Sequence, residues 1–216
     1  MIMAEDKALI LGVGEYTLTP KVRRHALINA LRQIDHNEID GDIVECGVWR
    51  GGNIILARKV SPERTCWLYD TFTGMTEPGP EDQRRSGSPA SEYYAARKRT
   101  NTPWCMSSLA ETTSALRATD TYDEEKIKFV VGDVTKTLLI EENLPEKIAL
   151  LRLDTDWYES TKVELEVLYP RLCIGGVLII DDFGHWNGAR KAVVDYFKGD
   201  ISALEHIDYA AVMRTK

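Results

Sequence analysis

The sequence has few cysteines and histidines and no excess of positive charge. Its four cysteines, Cys46, Cys66, Cys105 and Cys173, form no C-x-x-C pair, and three of them lie in apolar runs of strand length. We therefore expect reduced core thiols in a cytoplasmic protein. Twenty-seven Lys and Arg against 34 Asp and Glu give a net charge of −7. This balance argues against nucleic acid or an anionic membrane as partner and favours a small molecule.

The sequence also lacks a recognisable targeting signal and a transmembrane segment. The opening letters MIMAEDKALILGVGEY place acids where a signal peptide needs a basic head. The apolar run within them is too short to span a bilayer. The chain has no internal repeat and no low-complexity tract, and 216 residues suit one domain with a substantial core. We expect a single domain over 1–216.

Apolar runs of strand length alternate with segments of helical period along most of the chain. Strands are expected at 42–47, 66–70, 127–133, 147–154 and 175–182. Such alternation predicts an α/β fold with a doubly wound, mostly parallel sheet covered by helices on both faces. The tail ALEHIDYAAVMRTK has no room for another crossover and predicts an antiparallel hairpin at one edge.

Two segments lie outside this alternation. An amphipathic helix is expected over 19–34, with Thr19 as N-cap and Pro20 at the first helical position, inside an N-terminal helical cover at 1–36. Residues 71–108, called the excursion below, carry four of the eight prolines, no strand and one surface helix around 93–99. A connection of this length predicts either a solvated loop or a substrate lid.

Ligands of open α/β sheets bind beyond the carboxyl ends of the strands, and acids and glycines occupy those ends here. The residues concerned are Glu45, Gly47, Gly51, Gly52, Asp70 and Asp133. Asp70 follows Gly47 by 23 residues, the spacing at which nucleoside-binding folds place the acid for the ribose hydroxyls. The pattern favours a nucleoside pocket, although G-x-x-x-G-G is not the dinucleotide fingerprint. Asp133 could equally be the cap of the helix that follows it.

Four aspartates end the fourth and fifth predicted strands: Asp154, Asp156, Asp181 and Asp182. Neighbouring carboxylates repel one another and raise their own pKa values, and a bound cation relieves that repulsion. Oxygen ligands without a Cys or His cluster suit Mg²⁺, Mn²⁺ or Ca²⁺. The alternative is that DTD and DD cap the helices that follow them.

Four long motifs of the chain are GDIVECGVWRGGN, YDTFTGM, LLRLDTDWYESTKVELEVLYPRLCIGGVLIIDDFGHWNGARKAVVDYF and HIDYAAVMRTK. Together they resemble the TylF/macrocin O-methyltransferase family, which includes antibiotic sugar methyltransferases. The resemblance runs from about Tyr16 to Lys216, apart from the excursion. It implies a class I S-adenosylmethionine fold and Mg²⁺-dependent methylation of a hydroxyl on a small sugar or glycoside.

The resemblance also implies roles for individual residues. Asp154, Asp181 and Asp182 would hold the metal, and Asp156 would be the general base. The implied cofactor contacts are Glu45, Gly47, Trp49, Gly51, Gly52, Asn53, Asp70, Thr71 and Asp133. Trp157, Tyr158, His185 and Trp186 flank the acids, where aromatic faces suit the apolar side of a sugar.

Relatives acting on large macrolide glycosides usually have longer N-terminal segments. We therefore expect the excursion to supply a cover for the site or a contact in a homodimer, the commonest oligomer.

Three other functions fit parts of the sequence. A haloacid-dehalogenase-like phosphatase would use D-x-D, but carries it on its first strand. A glycosyltransferase would leave the VECGVWRGG turn and Asp70 unexplained. A non-catalytic S-adenosylmethionine-binding subunit would not need four carboxylates.

Overall fold

The computed structural model describes residues 3–102 and 104–216. The expected N-terminal cover and excursion therefore include three positions outside the described residues: Met1, Ile2 and Pro103. The helices are α1 (Ala4–Gly12), α2 (Lys21–His36), α3 (Gly52–Val60), α4 (Ala90–Arg99), α5 (Leu109–Ala118), α6 (Val134–Thr137), α7 (Tyr158–Val167) and α8 (Asn187–Tyr196). The strands are β1 (Asp42–Cys46), β2 (Cys66–Asp70), β3 (Ile127–Val131), β4 (Ile148–Leu153), β5 (Leu172–Ile180), β6 (Glu205–His206) and β7 (Val212–Thr215).

The strands form one sheet in the order β3-β2-β1-β4-β5-β7-β6. Strands β1 to β5 are parallel, whereas β7 runs antiparallel to β5 and β6 antiparallel to β7. This arrangement confirms the doubly wound sheet and its antiparallel C-terminal hairpin. The chain crosses from β3 on one side of β1 to β4 on the other, so strand order reverses there and a crevice opens at the carboxyl ends of β1 and β4.

Side chains of the central strands alternate between two apolar clusters, one on each face of the sheet. In β1, Ile43 packs with α2 and α3, while Val44 and Cys46 pack on the opposite face, with α7. The helices therefore cover both faces, which is the physical condition for a parallel sheet. Cys46 and Cys66 are buried free thiols, as the apolar runs around them predicted. No helix of the described residues is long and apolar enough to cross a membrane.

Helix α2 begins later than the sequence predicted. Pro20 is the N-cap, with an extended backbone (φ −62°, ψ 155°), and the helix starts at Lys21. The Thr19 hydroxyl does not cap the helix, because it accepts hydrogen bonds from Asn53 Nδ2 at 3.1 Å and Arg152 Nη2 at 3.2 Å. The expected cap was wrong because buried donors on α3 and β4 occupy that oxygen.

The excursion packs against the body of the protein through Asp82, whose side chain is buried. Asp82 Oδ1 accepts the backbone N–H of Tyr158 at 2.8 Å and thereby caps α7 from a distant part of the chain. Its Oδ2 accepts the N–H of Gly79 at 2.7 Å. A Cβ on Gly188 would lie only 1.9 Å from Asp82 Oδ1, so a glycine is required on α8 for this approach.

We expect Asp82→Ala to lower the free energy of unfolding by about 2 kcal/mol, because two backbone donors lose their acceptor. The excursion should also become more sensitive to limited proteolysis. Denaturant unfolding and limited proteolysis measure these two effects. Glu81→Gln is the control, because Glu81 is an exposed neighbour of Asp82 whose Oε1 lies 3.9 Å from Lys191 Nζ. Equal stability and equal digestion of the two variants would contradict the role of Asp82.

Candidate active site

A cavity of about 300 Å³ lies at the carboxyl ends of β1, β2, β4 and β5. Most of the residues singled out from the sequence line it: Gly47, Trp49, Asn53, Asp70, Thr71, Asp133, Asp154, Asp156, Asp181 and Asp182. Its wall also includes residues 17–20 of the N-terminal segment and Met75, Thr76, Trp104 and Cys105 of the excursion. One cavity thus joins the predicted nucleoside pocket to the predicted acidic cluster.

The turn after β1 depends on Gly47. Its φ is +84°, a left-handed value that favours glycine. A Cβ at this position would lie 2.0 Å from the backbone oxygen of Asp154 at the end of β4. Gly47 therefore allows the β1–α3 turn to lie directly against the acidic strand end.

Asp70, at the end of β2, holds the same turn from the other side. Its Oδ2 accepts the backbone N–H groups of Val48 at 2.8 Å and Trp49 at 3.0 Å. Its Oδ1 accepts the N–H of Phe72 at 2.8 Å. Oδ2 already accepts two donors, whereas Oδ1 accepts one and keeps a further lone pair, so Asp70 can shape the turn and still accept a hydroxyl in the cavity.

Gly51 and Gly52 were expected to contact the cofactor, but neither residue lines the cavity. The Gly52 N–H donates to the carbonyl of Tyr16 at 2.9 Å, and a Cβ there would lie 2.6 Å from Cβ of Thr17. Gly51 has φ +83°, and a Cβ on it would lie 3.2 Å from Thr112. These glycines admit neighbouring parts of the protein itself rather than a ligand.

Glu45 also lies behind the cavity rather than in its wall. It is 1% exposed, and its Oε1 accepts from Arg152 Nη1 at 2.8 Å and from Asn53 Nδ2 at 2.9 Å. Burial raises the pKa of Glu45 to about 7, against the opposing charge of Arg152. Glu45 therefore supports Asn53, which lines the cavity, and its expected contact with the cofactor stays a prediction.

Asp133 combines the two interpretations that the sequence left open. Its Oδ1 accepts the N–H of Thr135 at 3.0 Å and the Thr135 hydroxyl at 2.7 Å, so it caps α6. The residue also lines the cavity near Gly132 and Val134.

Carboxylates of Asp154, Asp156 and Asp182 form the acidic cluster, with one oxygen of each within 4.8 Å of the others. Burial, with nearby carboxylates adding to it, raises the pKa of Asp154 to about 6 and of Asp156 to about 7. The pKa of Asp182 is raised well above its ordinary value, first by burial and then by Asp156. Asp182 Oδ2 is buried without a hydrogen-bond partner in the described part of the chain. Three close hard oxygens with raised pKa values fit a divalent cation.

The alternative that these acids cap the following helices does not describe the structure. The Tyr158 N–H at the start of α7 is taken by Asp82 of the excursion, and α8 has no side-chain cap. Asp156 adopts φ +69°, a left-handed conformation that aspartate tolerates better than most residues. Backbone strain at this position accompanies the clustering of the carboxylates.

Asp181 lies outside the acidic cluster, contrary to the ligand set expected from the resemblance. Its Oδ1 accepts from Arg152 Nη2 and its Oδ2 from Arg23 Nη1, both at 2.7 Å. The Asp181 N–H still bonds the carbonyl of Leu153, so the strand geometry continues and successive side chains point to opposite faces. Asp181 therefore points to the arginines, and Asp182 points to Asp156.

Arg152 was not predicted from the sequence as a residue of the site. Its side chain is fully enclosed, and Nη1 donates to Glu45 and to Asp154 Oδ2 at 2.8 and 2.7 Å. Its Nη2 donates to Asp181 and Thr19. A lone arginine in an apolar strand, two residues before Asp154, was an available signal because the two side chains share a face. The register that pairs Glu45 with Arg152 across β1 and β4 could not be predicted from the sequence.

Trp104, Trp157 and Trp186 form an aromatic wall, of which Trp104 and Trp186 line one side of the cavity. Ring centroids lie 5.6 Å apart for Trp104 and Trp157, 6.0 Å for Trp104 and Trp186, and 5.1 Å for Trp157 and Trp186. Trp157 Nε1 donates to the carbonyl of Thr76 at 3.1 Å, which fixes the excursion to the wall. His185 lies beside this wall, with its Nδ1 3.2 Å from the Tyr209 hydroxyl. Burial lowers the pKa of His185.

Known proteins with similar sequences and structures include O-methyltransferases. The chain is 34% identical over 166 residues to demethyldecarbamoylnovobiocin O-methyltransferase of Streptomyces niveus, covering 74% of this chain and 59% of that relative. It is 35% identical over 167 residues to 8-demethyl-8-(2,3-dimethoxy-alpha-L-rhamnosyl)-tetracenomycin-C 4'-O-methyltransferase of Streptomyces olivaceus, covering 73% and 58%. The chain thus matches somewhat less than two thirds of these relatives' lengths.

A solved structure supports the same relationship. The O-methyltransferase NovP superposes with a TM-score of 0.78 at 31% sequence identity, over 93% of this chain and 83% of that one. The family model described as Macrocin-O-methyltransferase (TylF) matches residues 8–216. This chain therefore belongs to the TylF macrocin O-methyltransferase family.

Proposed function

We propose that the protein is an S-adenosylmethionine-dependent O-methyltransferase that methylates a hydroxyl of a sugar or glycoside with the help of a divalent cation. The observation that carries this proposal is the single cavity that joins the Gly47–Asp70 turn to the acidic cluster. Membership of the family supports it, as do relatives named for methylating glycosylated natural products.

The cofactor half of the cavity is the part bounded by the β1–α3 turn and the ends of β2 and β3. Asp70 would accept the ribose hydroxyls, Asp133 would lie near the adenine, and the backbone around Gly47 and Trp49 would surround the methionine part. Gly47 supports this assignment because it lines the cavity, and its lack of a side chain lets the turn lie against the end of β4. The bound cofactor supplies an electrophilic methyl group on a positive sulfur.

The metal half consists of Asp154 and Asp182, which we propose as cation ligands. Their close oxygens, the unpartnered Asp182 Oδ2 and the raised pKa values support this choice. Mg²⁺, with Mn²⁺ or Ca²⁺ as substitutes, would lower the pKa of a bound sugar hydroxyl. Asp181 is not included because its two oxygens already face Arg152 and Arg23.

We assign the general base to Asp156. Its carboxylate lies within 4.8 Å of oxygens of Asp154 and Asp182, so it reaches the space where the hydroxyl would be held. Its raised pKa makes it a stronger base than a solvated aspartate. Trp104 and Trp186 would pack on the apolar face of the sugar and orient the hydroxyl towards the cofactor.

The excursion would act as the lid of this site. Trp104, Met75 and Thr76 face the cavity, and Asp82 anchors the segment to α7. Exclusion of water by this cover would protect the acceptor geometry. We also expected a homodimer, because dimers are the commonest oligomers of soluble proteins, and this assembly stays a prediction.

Calorimetric titration of S-adenosylmethionine and S-adenosylhomocysteine, with Mg²⁺ and with EDTA, tests the proposed activity first. We expect both to bind with or without the metal, because the two halves use different residues. Turnover of sugar acceptors should require the metal. Failure of both cofactors to bind would overturn the methyltransferase assignment.

We expect Asp156→Asn to reduce kcat about 100-fold or more, while the affinities for Mg²⁺ and the cofactor change less than about threefold. Asp120→Asn is the matched control, since Asp120 is an exposed aspartate with a similar positive φ of 55°. Steady-state kinetics and calorimetry separate the two effects. Loss of Mg²⁺ binding in Asp156→Asn would make this residue a ligand instead of the base.

The raised pKa values also predict how stability changes with pH. Asp154 and Asp156 titrate at about 6 and about 7 in the folded chain, above the ordinary 3.8. The folded state therefore binds more protons, and this stabilisation is complete below about pH 4 and lost as pH rises through 6 and 7. We expect the Tm of the metal-free protein to fall between pH 5.5 and pH 8.

At pH 8 the proposed ligand Asp154 is ionised and can bind a cation, so Mg²⁺ should raise the Tm more at pH 8 than at pH 5.5. Thermal unfolding of the wild type and of Asp156→Asn measures both trends, and the variant should have a flatter pH dependence. Equal Mg²⁺ shifts at the two pH values would contradict this account.

A further inference from the structure

Five carboxylates and two arginines meet beneath the proposed metal half. The carboxylates are those of Glu45, Asp154, Asp156, Asp181 and Asp182, and the arginines are Arg23 and Arg152. With every group ionised, these seven groups carry a net charge of −3, and Asp208, which also pairs with Arg23, adds a fourth negative charge. A divalent cation would reduce that excess to two negative charges, so the arginines set how much negative charge is left for the cation.

Arg152 is the central member of this network. Its two terminal nitrogens each bridge two acceptors, with Nη1 between Glu45 and Asp154 and Nη2 between Asp181 and Thr19. The planar guanidinium fixes the angle between these bonds. The bond to Asp154 Oδ2 at 2.7 Å therefore restricts how that carboxylate can turn.

The network also reaches the N-terminal segment. Thr19 precedes α2 and accepts from Arg152, while Arg23 on α2 donates from Nη1 to Asp181 and from Nε to Asp208, both at 2.7 Å. The orientation of Asp154 thus depends on contacts made by residues that precede the sheet in the chain.

We propose that Arg152 is a positioning residue for the divalent cation. It holds Asp154 by one oxygen and donates to Asp181 and Glu45, so that Asp154 presents a cation-binding oxygen beside Asp182. This inference rests on the proposed function, and it concerns the metal half alone. Arg152 is not among the described residues that line the cavity, so we infer that it acts through Asp154.

Arg152→Lys tests the proposal, because an ammonium group keeps the charge but cannot reproduce the two-nitrogen fork. We expect its Mg²⁺ affinity to fall about tenfold or more, the scale on which groups that orient metal ligands act. The dissociation constant for S-adenosylhomocysteine should change less than about threefold. In turnover at fixed Mg²⁺, kcat should fall while KM for S-adenosylmethionine stays near the wild-type value.

Arg24→Lys is the matched control. Arg24 is a buried arginine of the same helix as Arg23, but it donates to the backbone carbonyls of Thr19 and Ile10 and, among the described residues, to no carboxylate. A purely structural role for Arg152 predicts the same Mg²⁺ affinity in the two variants, and that result would overturn the proposal.

Thr19→Val provides a second test if Arg152→Lys does not fold. It removes one acceptor of Nη2 without changing any charge, and we expect a smaller loss of Mg²⁺ affinity, about threefold. Unchanged Mg²⁺ affinity in Thr19→Val would then count against the proposal. Failure of the wild type to bind S-adenosylhomocysteine would instead overturn the methyltransferase assignment, which separates the two outcomes.

Discussion

The ion pairs of Arg152 are the interaction on which the rest of the site depends. A buried guanidinium loses its hydration, and only several well-placed acceptors offset that cost. Glu45, Asp154 and Asp181 supply those acceptors from three adjacent strands. If Arg152 were absent, Glu45 and Asp154 would lose their ion-pair partner, and Asp181 would keep its ion pair with Arg23. The order of β1, β4 and β5 in the sheet therefore brings these three acids together around one guanidinium beside the cavity.

The close approach of two chain segments connects this network to the cavity. Gly47 lets the turn after β1 lie against the carbonyl of Asp154, and Asp70 holds the far side of that turn. Both contacts occur where the strand order reverses between β1 and β4. This juxtaposition brings the proposed cofactor and metal halves together, which a methyl transfer between them requires. Asp82 then fixes the excursion and its Trp104 over the same cavity.

Much of the fold could be predicted because buried parallel strands leave long apolar runs in the sequence. The run at 66–70 matches β2 in full, and the hairpin after α8 was expected from the short tail. Helix α2 was predicted two residues early, since Thr19 and Pro20 look like a helix start in isolation. Only the folded chain brings Asn53 and Arg152 to the Thr19 hydroxyl. The glycines at 51 and 52 were similarly assigned to a ligand, although Thr112 and Thr17 occupy the space beside them.

The sequence by itself determined the parallel α/β architecture, the positions of the acids at the strand ends and the family to which the chain belongs. These features depend on local periodicity and on motifs that are contiguous in the chain. Only the tertiary structure decided which acids meet. Strand register pairs Glu45 with Arg152, and side-chain alternation turns Asp181 towards the arginines and Asp182 towards Asp156. Register and facing direction come from contacts between distant segments, and a single strand's sequence does not contain them.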